Sequence, residues 1–130
     1  MAVSRGLADT SLFIARETGR PLRTDAIPDR LSVSAITIGE LRVGVLKVSD
    51  TVVRHRRLAT LASALALQPL PIDTDVAAAW ALLRVTLRER GMAIPINDSW
   101  IAATALAHEV PVVTQDHDFP VLGGLSVIQV

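Results

Sequence analysis

The chain has 130 residues, half of them hydrophobic, no cysteine, and thirteen basic residues balanced by thirteen acidic ones. That length and composition predict one domain with a substantial core; they exclude disulfides and thiolate metal sites, and zero net charge argues against a strong non-specific nucleic-acid binder. No apolar run reaches the roughly 18 residues of a membrane span, and Asp9 and Arg16 interrupt any signal-peptide core, so a cytoplasmic protein with no membrane anchor is expected.

Gly6-Leu7-Ala8 predicts a short strand ending at Asp9, and Thr10 and Ser11 open a helical turn. Asp9 is then either an N-cap, accepting free backbone N–H groups, or a ligand at a strand end; the two roles are compatible. Thr18 to Arg30 holds Gly19, Pro21, Pro28 and several Arg, and reads as a basic, exposed loop or broken helix. Leu31 to Ser34 alternates as a second strand. Thr37 is expected to begin a helix, with Glu40 at capping-box spacing and Ile38, Leu41, Val45 and Val48 as the apolar stripe. Glu40 is either the box partner or a partly buried functional acid.

A helix from Asp50 to Ala66, capped by Ser49 or Asp50, carries Arg54, His55, Arg56 and Arg57. These make either a solvated face or a phosphate- or partner-contacting patch. Leu65 to Ile72 reads as an extended piece confined to an edge by Pro69 and Pro71. A long helix runs from Asp73 to Arg90, with Val76, Trp80, Leu83 and Leu87 as its apolar stripe, Asp73 and Asp75 serving its N-terminus, and Gly91 as its C′ residue. Asp98 stands at the start of an apolar helix to His108, which Pro111 ends. Val112 to Thr114 is a buried strand followed by Asp116 and Asp118, and Leu125 to Val130 is a last strand. Helices between strands predict a mostly parallel sheet covered by helices, with Asp9 and Asp116 on the edge where the strands end.

Were Asp9, Glu40, Asp98 and Asp116 to converge, with Asp118 beside them, their charges would repel. A divalent cation removes that penalty. Mg2+ suits carboxylates and water, and leaves positions for phosphate oxygens. His55, His108 and His117 lie in separate segments without ligand spacing and read as surface or satisfied histidines. A receiver-like phosphoacceptor domain also clusters acids at strand ends, but it needs a nearby lysine, and Lys47 alone is available.

Asp9-Thr10-Ser11, Thr37-Ile38-Gly39-Glu40-Leu41, the segment Asp98-Ser99-Trp100-Ile101-Ala102-Ala103-Thr104-Ala105, and Thr114-Gln115-Asp116-His117-Asp118-Phe119 together resemble the PIN-domain nucleases. The likeness is strongest to the VapC-type toxins of toxin–antitoxin modules, and it spans essentially the whole chain. The resemblance implies a three-layer α/β/α fold in a single domain, residues 1–130, and a Mg2+-dependent endoribonuclease, with Mn2+ as the alternative ion. It places catalytic acids at Asp9, Glu40, Asp98 and Asp116. The metal ligands would come from Asp9, Asp98, Asp116 and Asp118, and either Asp116 or Asp118 would be the direct one at that turn. Thr10 and Thr114 match supporting hydroxyls. The implied partners are RNA, a second copy of the chain, and a DNA-binding antitoxin of the VapB type. Arg16, Arg20, Arg23, Arg54, Arg56 and Arg57 are candidates for RNA or antitoxin contact. The alternative is a catalytically silent PIN-like module that binds RNA or protein.

Overall fold

A computed structural model describes residues 4–117, 119–120 and 122–130 of the chain. Four strands form one sheet in the order β2-β1-β3-β4, with every pair parallel: β1 is Arg5–Ala8, β2 Arg30–Val33, β3 Val112–Thr114 and β4 Val127–Gln129. Five α-helices cover it: α1 Thr10–Thr18, α2 Ala35–Leu46, α3 Thr51–Leu65, α4 Thr74–Glu89 and α5 Ile96–Ala107. This is the expected three-layer α/β/α arrangement.

Side chains alternate across a strand, and that alternation splits the core in two. Leu7 of β1 and Val112 of β3 enter one cluster, with Leu83 and Leu87 of α4 and Ile101, Ala102 and Ala105 of α5. Their neighbours Ala8 and Val113 enter the other, with Leu12 and Phe13 of α1, Leu41 and Val45 of α2, and Leu61 and Ala64 of α3. Small residues let the layers approach closely. A Cβ on Gly6 would stand 2.6 Å from Val113 Cγ2 and 3.0 Å from Pro28 Cγ, so no larger residue fits at this point of β1.

Several helix ends follow the local rules. Asp50 Oδ1 accepts from the Val52 and Val53 N–H groups, each at 3.0 Å, and Asp73 Oδ1 accepts from Val76 N at 2.9 Å. Gly91 takes φ +63° just past α4, the left-handed conformation in which a Cβ is strained. Other expectations change. α2 begins at Ala35, because Ser34 Oγ accepts from Ile36 N at 3.1 Å and caps it. Thr37 therefore lies inside the helix, fully buried, and Glu40 closes no capping box there. α5 begins at Ile96 after Pro95, so Asp98 sits in its first turn and does not cap it. The extended piece around Leu70 forms only a single bridge to Ser34 on the outer edge of β2, because its prolines cannot donate to a longer ladder.

The packing of α4 on α5 fixes the start of α5. The Trp80 and Trp100 rings stack in parallel, with centroids 4.3 Å apart, and the Arg84 guanidinium lies 5.5 Å from the Trp80 centroid. Trp80 Nε1 donates to Ser99 Oγ at 2.9 Å, and the Ser99 hydroxyl in turn donates to the Ile96 carbonyl. Ser99 directly follows Asp98, so this series of interactions holds the turn that carries the acid. Among the described residues no helix is long and apolar enough to cross a membrane.

Candidate active site

All four strands run the same way, so their C-terminal ends share one edge, where open α/β sheets place ligand chemistry. Asp9 leaves β1 there. Its N–H donates to the Val113 carbonyl at 2.9 Å, which sets it beside Thr114 at the end of β3. The Asp9 side chain is only 4% exposed. A buried carboxylate is costly unless it is hydrogen-bonded, and here Oδ2 takes three donors. They are the Ser11 hydroxyl at 2.6 Å, the Thr114 hydroxyl at 2.9 Å and the Ser11 N–H at 3.4 Å. The N-terminus of α1 adds partial positive charge. Asp9 thus caps α1 while standing at the edge where the strands end.

All three bonds fall on Oδ2 and leave Oδ1 for another partner. Among the described residues no sealed side-chain oxygen or nitrogen lacks a hydrogen bond, so Oδ1 opens toward solvent.

Glu40 reaches the same edge from α2. Thr10 Oγ1 donates to Glu40 Oε1 at 2.6 Å, and Thr10 and Thr37 hydroxyl oxygens lie 2.9 Å apart. Since the Thr10 proton goes to Glu40, Thr37 is the donor in the second bond. Asn97 Nδ2 donates to Glu40 Oε2 at 3.5 Å, which brings the first turn of α5 and the adjoining Asp98 to the site. On the other side, Thr114 Oγ1 accepts from Asp116 N at 2.9 Å, and Ser11 Oγ accepts from Gln115 N at 3.0 Å. Asp9, Thr10, Glu40, Thr114 and Asp116 therefore share one hydrogen-bonded edge, and Asp98 is joined to it through its neighbour Asn97. Asp118 lies outside the described residues.

Three participants carry little signal in the sequence. Ser11 and Thr37 have the composition of helix-start residues, and Asn97 that of a loop residue. A hydroxyl directly after the strand-end Asp9 is the available signal for Ser11. Nothing local distinguishes Thr37, whose partner is Thr10.

The arginines separate into kinds. Arg54 donates through Nε and Nη2 to the Val48 carbonyl, and Arg57 Nη1 donates to the Gly44 carbonyl at 2.6 Å. Arg57 also lines a groove of about 450 Å3 with Thr10, Ile14, Glu40, Val43 and Asn97. Arg16 and Arg56 are exposed on α1 and α3. Arg20 and Arg23 face a separate pocket beside Gln115.

The donor set fits a hard divalent cation. Among the described residues the acceptors that Asp9, Glu40 and Thr114 offer at the edge are oxygens, and one Asp9 oxygen is open. Among the described residues no group of three or more His, Asp and Glu side chains could hold a metal by itself. Mg2+ tolerates that, because it binds through about one or two carboxylates and keeps several waters.

Thr114 tests the network. Thr114→Val keeps the shape of this fully buried side chain but leaves the Asp116 N–H without its acceptor and removes one of the three donors to Asp9. Urea unfolding is expected to show a loss of about 1–3 kcal/mol. Thr114→Ser, which keeps the hydroxyl, should restore most of that stability.

A family model described as PIN domain matches residues 7–125. Ribonuclease VapC5 of Mycobacterium tuberculosis is 48% identical over 125 residues, covering 96% of this chain and 93% of that protein. Ribonuclease VapC4 of the same organism is 46% identical across the full length of both. The crystal structure of VapBC-5 from M. tuberculosis, a member of the VapBC family of toxin–antitoxin systems, superposes with a TM-score of 0.89 at 44% identity, over 98% of this chain and 99% of that one.

Proposed function

This chain belongs to the PIN-domain family and, within it, to the VapC proteins, and from that premise we propose that it is a divalent-metal-dependent endoribonuclease, the toxin of a toxin–antitoxin pair. The observation that carries this reading is Asp9: a nearly buried carboxylate with one oxygen clamped by Ser11 and Thr114 and the other left open.

Asp9 would hold the ion, with Asp98, Asp116 and Asp118 as the further acids. A bound Mg2+ or Mn2+ would offset the crowded negative charge and polarise the phosphodiester. The rest is the work of the chain. Ser11 and Thr114 fix the Asp9 carboxylate before substrate arrives, so no reorganisation is needed during reaction. Thr10 fixes Oε1 of Glu40. The other oxygen, held only loosely by Asn97, would take the proton of the attacking water.

The partner reading rests on the groove between α1 and α2. Ile14 and Val43 are exposed beside Leu41, with Glu17, Lys47 and Arg57 around them. An amphipathic segment of an antitoxin suits that mixture. A second copy of the chain and a cytoplasmic location complete the proposal.

Metal exchange tests it. Purified chain incubated with total cellular RNA is expected to cut when Mg2+ or Mn2+ is present. It should be inert in EDTA and recover when metal is returned. Undiminished cutting in EDTA would remove the metal from the mechanism. RNA binding without cutting under any ion would instead assign the chain to silent binding modules.

A further inference from the structure

Beside the carboxylates lies a second pocket of about 510 Å3, lined by Arg20, Arg23, Gln115, His117, Gln129 and Val130. Its walls are the α1–β2 connection, the turn after β3 and the end of β4. Gln115 ties them together: its Nε2 donates to the Val130 carbonyl at 2.6 Å and to the Pro21 carbonyl at 3.1 Å. Gln129 Nε2 and His117 Nδ1 stand 2.6 Å apart on the far wall. Among the described residues, neither the Arg20 nor the Arg23 guanidinium has a hydrogen-bond or ion-pair partner. This distinguishes them from Arg54 and Arg57, which are spent on backbone carbonyls, and from Arg84, which lies over Trp80.

The lining indicates the ligand. Among the described residues Val130 is its sole apolar member, so an apolar peptide side chain would find little there to bury against. Two open guanidiniums, with amide and imidazole groups between them, suit a phosphodiester, which guanidinium grips through paired N–H donors. The pocket also adjoins the reaction site through the backbone. Gln115 N donates to Ser11 Oγ, which itself donates to Asp9, and His117 directly follows Asp116. A strand with its scissile phosphate at Asp9 can therefore run on into this pocket.

We infer that the Arg20–Arg23 pocket holds a neighbouring backbone phosphate of the RNA strand, gripping the chain on the β4 side of the scissile bond. The inference rests on the ribonuclease reading. It assigns RNA binding to two of the basic residues and withholds it from Arg54 and Arg57.

The test uses the full chain and a fluorescein-labelled, random-sequence single-stranded RNA of about twelve nucleotides, with fluorescence anisotropy measured in EDTA across a salt series. Arg20→Gln with Arg23→Gln is expected to weaken binding about tenfold. The slope of log K against log salt should become shallower by about 0.7 for each phosphate that the variant no longer neutralises. Arg88→Gln with Arg90→Gln, which removes two exposed charges at the far end of α4, serves as the control and should change binding less than twofold. Equal weakening by both pairs would reduce the effect to net charge and overturn the pocket. Unchanged RNA affinity together with loss of a co-purifying antitoxin would give the pocket to the partner and also overturn it. If the native chain neither binds this RNA nor cuts any RNA with Mg2+, the ribonuclease reading itself fails. Native cutting with an unaffected Arg20/Arg23 variant sinks the pocket alone.

Discussion

Asp9→Asn is expected to lower Mg2+-dependent RNA cleavage by at least about 100-fold, since groups that merely orient a metal ligand already cost about 10- to 100-fold when removed. The substitution is nearly isosteric, and the side chain is 4% exposed, so the asparagine has one pose available. Its carbonyl oxygen takes the place of Oδ2 and keeps the Ser11 and Thr114 donors. Its NH2 group then occupies the position of Oδ1, the oxygen open to the site. A donor without charge stands where an anionic acceptor stood, and a cation is deprived of its ligand. The fold should survive. Exchanging charge-assisted hydrogen bonds for neutral ones changes stability by about 1–2 kcal/mol, and relief of a buried charge offsets part of that. Cleavage rate and urea midpoint measured on the same preparation separate the two effects. A variant that cuts RNA at the native rate would falsify the placement of Asp9 at the centre of the reaction.

Ile101→Ala is expected to produce the largest loss of stability, about 2–5 kcal/mol. Ile101 is fully buried on α5, in the cluster that joins that helix to α4 and to Leu7 and Val112 of the sheet. Its neighbours Ala102 and Ala105 are too small to close the gap. Natural domains hold only about 5–15 kcal/mol in all, so the melting temperature should fall by about 8 °C or more. The helix also carries Asp98 and Asn97, so RNA cleavage by the variant should fail at a correspondingly lower temperature. Leu82→Ala removes as much side chain from a position 70% exposed. It should shift stability by no more than about 0.5 kcal/mol. Equal losses at the two positions would show that α5 is not part of the core.

Much of the fold is legible locally. Periodicity finds the strand–helix alternation, and Asp50, Asp73 and Gly91 mark helix ends by chemistry that needs no tertiary partner. Where local rules fail, a more distant group decides the matter. Thr37 has the composition of a cap, but Ser34 is the cap and the Thr37 hydroxyl goes to Thr10. Asp98 also has the composition of a cap, but α5 starts two residues earlier, after Pro95. The basic run on α3 has the spacing of one patch, yet Arg54 and Arg57 turn back onto backbone carbonyls.

The sequence by itself determined the inventory: an all-oxygen donor set, strands short enough for a small parallel sheet, and acids where strands end and helices begin. Those follow from residue type and spacing, which act over a few residues. Only the tertiary structure decided which oxygen of Asp9 is clamped and which is open, because Ser11 stands two residues away and Thr114 stands 105 away. The parallel pairing of β1 with β3 brings them together, and that register is set by burying Leu7, Ala8, Val112 and Val113 on opposite faces of one sheet.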